Sequence, residues 1–176
     1  MKNNLVVLGT LQDGGYPQPG CKLACCSSVI PNNRFVSCLS IIDSYLDKFW
    51  LIDITPDFKN QIQLMNNKVS SIIPSGIFLT HAHYGHYTGL LNFGKEVINT
   101  KDLPVYVMKN MRFFLENSDP WRQLISDGNI NIIEMNVGEK VDLNTQISVM
   151  PFLVPHRDEI SETVGYKIIG EKLSII

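Results

Sequence analysis

The sequence predicts a mixed α+β sandwich, in which two β-sheets pack face to face and helices are interspersed along the chain. Short apolar runs bounded by glycine, proline, asparagine or aspartate recur along the sequence and are typical of buried strands. Most of these runs follow one another as hairpins do, whereas a doubly wound parallel sheet alternates strands with helices. The length of 176 residues fits one domain, which spans residues 1–176.

The elements follow from the apolar runs and the residues that bound them. Strands are predicted at residues 5–9, 34–42, 48–54, 76–80, 104–108, 129–135, 147–154, 164–169 and 173–176. A helix is predicted to follow Thr55, because threonine is a good N-cap and Pro56 suits the first helical position. Two further helices are predicted at residues 90–98 and 110–116.

Composition and charge exclude several classes of function. A hydrophobic content of 44% with 18% charged residues is typical of a globular domain. The net charge of −2, without any cluster of lysine or arginine, excludes the electrostatic footprint of a nucleic-acid partner. The N-terminal apolar stretch is too short for a signal peptide, and no run approaches a membrane span. We therefore expect a cytoplasmic protein that acts on a small molecule, without a membrane partner.

The histidines are concentrated at the ends of two predicted strands. His81 and His83 form a His-x-His pair, whose rings point to the same side of an extended segment, and His86 follows in the turn. His156 ends another apolar run. His81, His83 and His156 predict a three-histidine site suited to zinc, or to iron or manganese with a carboxylate. Such a metal lowers the pKa of a bound water to about 7 and so creates a nucleophile at neutral pH.

Two roles stay open for each of the residues around these ligands. His86 can join the same centre or begin a second one. Asp53, at the end of a predicted strand, can orient a ligand histidine or cap the helix that follows. Asp53 and Asp158 are the candidate catalytic carboxylates.

All four cysteines lie in the first quarter of the chain. Because no secretion signal precedes them, thiols or a metal site are expected rather than disulfides. Cys21, Cys25 and Cys26 can supply three thiolates to a structural zinc, although their spacing also fits reduced thiols without a metal.

Four stretches of the chain resemble the metallo-β-lactamase superfamily, and within it the branch related to coenzyme PQQ biosynthesis protein B. They are residues 12–21 with the Cys25-Cys26 pair, 51–58, 80–90 (THAHYGHYTGL) and 154–159. The resemblance covers nearly the whole chain in the family's order. It implies an αββα sandwich with the metal site at one edge of the sheets. It also implies that His81, His83 and His156 are ligands of a first metal and His86 a ligand of a second.

The chain departs from the superfamily pattern His-x-His-x-Asp-His at Gly85, where the family has the aspartate. Glycine offers neither a ligand nor a base, so the second metal is expected to bind weakly. Asp13 or Asp158 can replace the carboxylate only where the fold brings it to the metal. On this basis His81→Ala and His156→Ala are expected to remove most of the metal, and His86→Ala little.

The superfamily also supplies an aspartate and a histidine from segments that follow the strand at 173–176, and this sequence has neither. We therefore expect a chain truncated at its C-terminus, with roughly the first half to two-thirds of the fold. Its second sheet and outer helix layer would come largely from absent residues. Such a chain is expected to be marginally stable, or to form a homo-oligomer that covers its apolar faces.

The leading functional hypothesis is a metal-dependent hydrolase that uses metal-activated water on an unidentified small molecule. One alternative is an iron-dependent oxygenase or oxidoreductase in cofactor biosynthesis, as the resemblance to the PQQ branch implies. Another is a non-catalytic metal-binding remnant, since Gly85 and the missing ligands weaken the site.

Overall fold

The structure, a computed structural model, describes residues 4–27, 34–170 and 174–175. Within these ranges the chain forms two sheets. The first sheet contains β1 (Asn4–Gly9), β2 (Cys38–Asp43), β3 (Lys48–Ile52), β4 (Gly76–Phe78), β5 (Leu103–Val107) and β6 (Ile130–Glu134). The second contains β7 (Val141–Asp142), β8 (Ser148–Leu153), β9 (Val164–Ile169) and β10 (Ser174–Ile175).

The helices are short and most of them lie in the connections of the first sheet. They are α1 (Ala24–Ser27), α2 (Phe58–Gln61), α3 (Tyr84–Tyr87), α4 (Lys109–Asn117) and α5 (Trp121–Ser126), with 3₁₀ helices at Ile62–Met65 and Thr88–Phe93. None of the helices in the described ranges has the length and apolarity that crossing a bilayer requires.

The first sheet is mixed rather than a series of hairpins. Its strands lie in chain order from β1 to β6. The β1–β2 and β2–β3 pairs are antiparallel, whereas β3 through β6 pair in parallel. The sequence-based expectation of consecutive hairpins is wrong for this half of the sheet, because its connections are crossovers with short helices. The second sheet, in the order β10-β9-β8-β7, is antiparallel throughout.

Alternation along the strands produces two separate apolar layers. On β2, Ile42 faces the helices while Ile41 faces the second sheet; on β4, Ile77 and Phe78 divide in the same way. The described residues therefore contain a helix layer and two sheets, as the predicted α+β sandwich requires. The second sheet already has four strands in these residues, more than the sequence led us to expect. Two residues of the predicted strand at 173–176, Leu173 and Ile176, lie outside the described residues.

The predicted strand at residues 34–42 is regular only from Cys38 onward. Residue Val36 instead forms an isolated parallel bridge with Leu11. Its N–H donates to the Asp57 carboxylate over 2.9 Å, and its carbonyl accepts from the Gln61 side chain over 2.7 Å. These bonds satisfy the backbone without a strand partner, and they attach the loop after β1 to the first helical crossover.

Helix boundaries differ from the predictions where tertiary contacts intervene. Helix α2 begins at Phe58, three residues beyond Thr55, and the Thr55 hydroxyl accepts the Asp57 N–H over 3.0 Å. The predicted helix at residues 90–98 is a 3₁₀ helix that ends at Phe93, because Gly94 adopts an extended conformation. Helix α5 was not predicted, since it is short and preceded by Pro120.

The fully buried Ile77 provides a test of the layer between the first sheet and the helices. We expect Ile77→Ala to lower the free energy of unfolding by about 2–5 kcal/mol, because the deletion leaves a cavity in a packed layer. The matched control is Ile72→Ala, at a residue that is 57% exposed, where the change should stay within about 0.5 kcal/mol. Urea unfolding of both variants measures the difference, and equal losses would contradict this packing.

Candidate metal site

The end of β4 carries His81 and His83 into the seam between the two sheets. The Leu79 carbonyl accepts the buried Tyr166 hydroxyl over 2.6 Å, and the Thr80 carbonyl accepts the Val164 N–H over 3.1 Å. Both partners belong to β9, so these bonds join the histidine segment of the first sheet to the second sheet. Because β8, which leads to His156, pairs with β9, the same contacts bring that histidine close.

His81, His83 and His156, which are separated by up to 75 positions in the chain, form one cluster. Each offers a ring nitrogen, and these three atoms lie within 4.8 Å of one another. The ring centroids of His81 and His83 are 4.5 Å apart, and each lies 5.0 Å from that of His156. Burial decreases from His81 through His83 to the exposed His156, so the cluster opens to solvent on one side.

A buried carboxylate determines which nitrogen of His81 is available. The Thr80 hydroxyl lies 2.9 Å from both carboxylate oxygens of Asp53 and 2.8 Å from His81 Nδ1. An ionised carboxylate only accepts hydrogen bonds, so the hydroxyl donates its hydrogen to Asp53. The hydroxyl oxygen must then accept a hydrogen bond from the Nδ1–H group of His81. His81 Nε2 therefore keeps its electron pair for a metal, which is the usual arrangement around a ligand histidine.

His83 is oriented by a different carboxylate. Its Nε2 lies 3.1 Å from Glu159, and its Nδ1 lies 3.2 Å from His156 Nε2. The hydrogen bond from His83 holds the pKa of Glu159 below its usual range, so this carboxylate stays ionised and accepts. His83 Nδ1 consequently carries an electron pair, directed toward the ring of His156.

One of the three nitrogen–nitrogen separations matches that of a divalent metal site. Nitrogen ligands about 2.05 Å from a tetrahedral zinc are separated from each other by about 3.3 Å, close to the 3.2 Å between His83 Nδ1 and His156 Nε2. Burial, together with the neighbouring imidazoles His86, His83 and His156, lowers the pKa of His81 to about 3. His81 is thus neutral across the physiological range, as a metal ligand must be.

His86 lies beside this cluster between two carboxylates. Its ring centroid is 4.2 Å from that of His81. Its Nδ1 lies 2.7 Å from Asp53, and its Nε2 lies 3.0 Å from Asp13. Burial acts to lower the pKa of His86, but the hydrogen bond and charge of Asp53 and the charge of Asp13 outweigh it and raise this pKa. Although residue 85 is a glycine, His86 therefore has two carboxylate neighbours from other parts of the chain, one of them Asp13, which the sequence left open as a replacement.

The two candidate catalytic carboxylates occupy different environments. Asp53 is 5% exposed and contacts His86 directly and His81 through Thr80, rather than capping the helix that follows. Asp158 is exposed, and its carboxylate accepts the Thr163 hydroxyl over 2.9 Å. Among the described residues, no hydrogen bond or ion pair joins Asp158 to a histidine, and Asp158 is not part of the cluster.

Cys21, Cys25 and Cys26 also come together. Their sulfur atoms lie within 4.8 Å of one another, and all three are free thiols. Three sulfurs at this separation can hold a zinc ion, with a fourth ligand from elsewhere. The fourth cysteine, Cys38, is buried in the core, and burial together with the charge of Asp53 raises the pKa of its thiol.

The histidine cluster lines an open cavity of about 990 Å³. Asp13, Asp53 and Arg157 contribute polar groups to its wall. Its apolar wall comes from β1, β2, β3 and β9 and includes Val7, Leu39, Ile52 and Val164. A ligand in this cavity could contact both the histidine cluster and an apolar surface.

Most of the chain matches the sequence model of a known protein family. The sequence model of the beta-lactamase superfamily domain matches residues 50–176. The chain belongs to the beta-lactamase superfamily. A comparison with curated protein sequences found no match.

Solved structures of the superfamily agree in fold. Zinc-bound PqqB from Methylobacterium extorquens has a TM-score of 0.78 at 20% identity, over 97% of this chain and 62% of that one. A diphosphatase of the PhnP family has a TM-score of 0.68 at 25% identity, over 93% of this chain and 61% of the diphosphatase. The short form of human tRNase Z has a TM-score of 0.59 at 19% identity, over 96% and 64%. The chain thus spans less than two thirds of each of these proteins, and has the metallo-β-lactamase fold and PqqB-like neighbours that the sequence motifs predicted.

Sequence reasoning missed two residues that orient the ligands, Thr80 and Glu159. Thr80 directly precedes His81 and Glu159 follows His156 by three positions. Proximity in sequence was therefore the only signal available for either residue. Which histidine each one contacts depends on the approach of the two sheets.

Removing the Thr80 hydroxyl tests its role in orienting His81. We expect Thr80→Val to weaken metal binding about 10–100-fold, because the His81 Nδ1–H loses its acceptor. Thr80→Ser keeps a hydroxyl and should bind nearly as the wild type. Cobalt(II) titration followed by absorbance measures this, since thiolate and imidazole sites differ in spectrum; unchanged affinity in Thr80→Val would contradict the role.

The cysteine cluster can be tested by thiol reactivity in the native chain. With zinc bound, we expect Cys21, Cys25 and Cys26 to resist a thiol reagent, and a chelator to expose all three. Cys38 is the internal control, since a buried thiol should react only on unfolding. Three thiols equally reactive with and without zinc would contradict a zinc site, and a chelator-insensitive loss of thiols would indicate a disulfide.

Proposed function

We propose that the chain is the metal-binding part of a hydrolase that acts on a small molecule. The observation that carries this proposal is the convergence of one ring nitrogen each from His81, His83 and His156, within 4.8 Å of one another, in the wall of the cavity. Zinc suits this set of ligands best, and iron or manganese are the alternatives. Three protein ligands leave a position open, which is typical of catalytic rather than structural sites.

A divalent metal held there would supply Lewis acidity and a water molecule activated as a nucleophile at neutral pH. The residues of the chain make the site rigid before the metal arrives. Asp53, through Thr80, holds the His81 ring by its Nδ1 and leaves Nε2 unprotonated, and Glu159 bonds His83. This preorganisation limits the reorganisation that metal and substrate binding require.

The cavity supports a substrate that combines a hydrolysable group with an apolar part. Val7, Leu39 and Ile52 line the same cavity as the histidines, and Arg157 adds a cation to its wall. One structural neighbour is named as a diphosphatase, so phosphate esters are the first class of bond to test. The fold by itself does not choose among substrates, because it positions many different sites.

Hydrolysis by the metal-loaded chain tests this proposal. Bis(4-nitrophenyl) phosphate and 4-nitrophenyl acetate serve as a phosphate ester and a carboxylate ester, assayed with zinc, manganese or iron. We expect metal-dependent hydrolysis of at least one of them. His81→Ala and His156→Ala should lose most of the bound metal and the activity together, because each removes one of three ligands.

The matched control is Phe113→Ala, which truncates a side chain of α4 that is 69% exposed. It should retain both metal and activity. The proposal fails when the metal-loaded wild type hydrolyses neither ester, or when the histidine variants hydrolyse as well as the wild type. Bound iron with oxygen consumption, in place of hydrolysis, would instead favour the oxidoreductase alternative.

A further inference from the structure

The loop after β1 places a carboxylate where residue 85 cannot provide one. Asp13 Oδ1 lies 3.0 Å from His86 Nε2, and both residues line the cavity that contains the three-histidine cluster. Asp13 precedes Gly85 by 72 positions in the sequence, so only the tertiary structure brings its carboxylate next to His86. Its side chain is about one-third exposed, which leaves its carboxylate accessible from the cavity.

Gly85 is required by the position of Asp13. A Cβ atom at residue 85 would lie 2.7 Å from Asp13 Oδ1, 2.9 Å from Asp13 Cα and 2.9 Å from Val36 Cγ1. Any side chain there would displace the loop, because two of these atoms belong to packed or backbone groups. An aspartate at residue 85 and the Asp13 carboxylate in its present position are therefore mutually exclusive, because the Cβ alone already overlaps Asp13.

The loop that carries Asp13 is held by hydrogen bonds to the core. The N–H groups of Thr10 and Leu11 both donate to the Phe35 carbonyl over 2.9 Å, and the Ser37 N–H donates to the Leu11 carbonyl over 2.9 Å. Val36, between them, is 2% exposed and bonded to Asp57 and to the buried Gln61. Asp13 is thus positioned by an attached segment rather than by a chance approach of a free loop.

The Nδ1 atom of His86 is bonded as in a histidine that binds a metal through its other ring nitrogen. Its Nδ1 bonds the buried Asp53 over 2.7 Å, as ligand histidines bond a carboxylate through the nitrogen that does not bind the metal. In the metal-free chain Nε2 bonds Asp13 Oδ1 over 3.0 Å, and a cation bound there would displace the proton between them and take Nε2 and Oδ1 as its ligands. The rings of His86 and His81 are 4.2 Å apart, a separation compatible with two metal ions about 3.5–4 Å from each other.

We propose that Asp13 and His86 are two ligands of a second divalent cation beside the three-histidine site, and that Asp13 supplies the carboxylate that Gly85 lacks. One imidazole and one carboxylate suit zinc, manganese or iron. The inference deepens the proposed function, because it adds a second cation to the same cavity. It also assigns a role to the loop after β1 and to the glycine in the histidine turn.

Manganese(II) titration of the metal-free chain, followed by electron paramagnetic resonance, tests the second site. Manganese favours oxygen and nitrogen donors, so the cysteine thiols compete less than they would for zinc. We expect the wild type to bind two equivalents, one at each site. Asp13→Asn keeps the shape of the side chain but removes its charge. It should lower the affinity for one manganese equivalent more than about tenfold and leave the affinity for the other unchanged.

Gly85→Ala provides an independent variant, because it removes no ligand but displaces Asp13. It should weaken the same equivalent as Asp13→Asn, and urea unfolding establishes that it remains folded. Asp142→Asn, at an exposed carboxylate of β7, is the charge-matched control and should bind as the wild type. If Gly85→Ala does not fold, the comparison of Asp13→Asn with Asp142→Asn still tests whether Asp13 binds the second cation.

The outcomes separate this inference from the proposed function. Wild-type binding of both equivalents by Asp13→Asn overturns the inference, and so does a wild type that binds only one equivalent. In either case His81→Ala and His156→Ala still report on the three-histidine site. Loss of binding in those two variants alone would leave the proposed function standing while the second cation site is rejected.

Discussion

The candidate site depends on one buried carboxylate. Asp53 lies at the end of β3 with a φ of 63°, a left-handed conformation that aspartate adopts more readily than most residues. Its carboxylate accepts the Thr80 N–H and hydroxyl and bonds His86. An unpaired buried charge would be strongly destabilising, so these three partners are constrained together. Asp53 thereby joins the ends of two parallel strands, and the orientation of two histidines follows from it.

The contact between the two sheets completes the cluster. Tyr166 and Val164 of β9 bond the backbone of Leu79 and Thr80, and the Ser161 hydroxyl accepts the Ala82 N–H over 2.9 Å. These bonds satisfy the polar backbone of a segment that leaves its own sheet, as a buried chain requires. They also bring the exposed His156 to a position that the first sheet alone could not specify. The histidine cluster is therefore a property of the sandwich rather than of either sheet.

The carboxylate that the superfamily has at position 85 is absent from this chain, and Asp13 places a carboxylate next to that position instead. The local motif could not predict this. Within the His-x-His-x-Gly-His stretch, the glycine reads as the loss of a ligand. In the fold, the missing side chain makes room for a loop that carries its own carboxylate. The spacing of residues along the chain reports on the turn in which they lie, and it contains no information about which distant loop approaches that turn.

The sequence by itself determined the fold class, the superfamily and the residues that form the three-histidine cluster, because apolar alternation and the His-x-His motif are local features. It also singled out Asp53, since that residue follows an apolar strand directly. Only the tertiary structure decided the parallel half of the first sheet, the tautomer of His81 and the carboxylate partners of His83 and His86. Each of these depends on contacts between segments far apart in the chain, and local patterns do not encode such contacts.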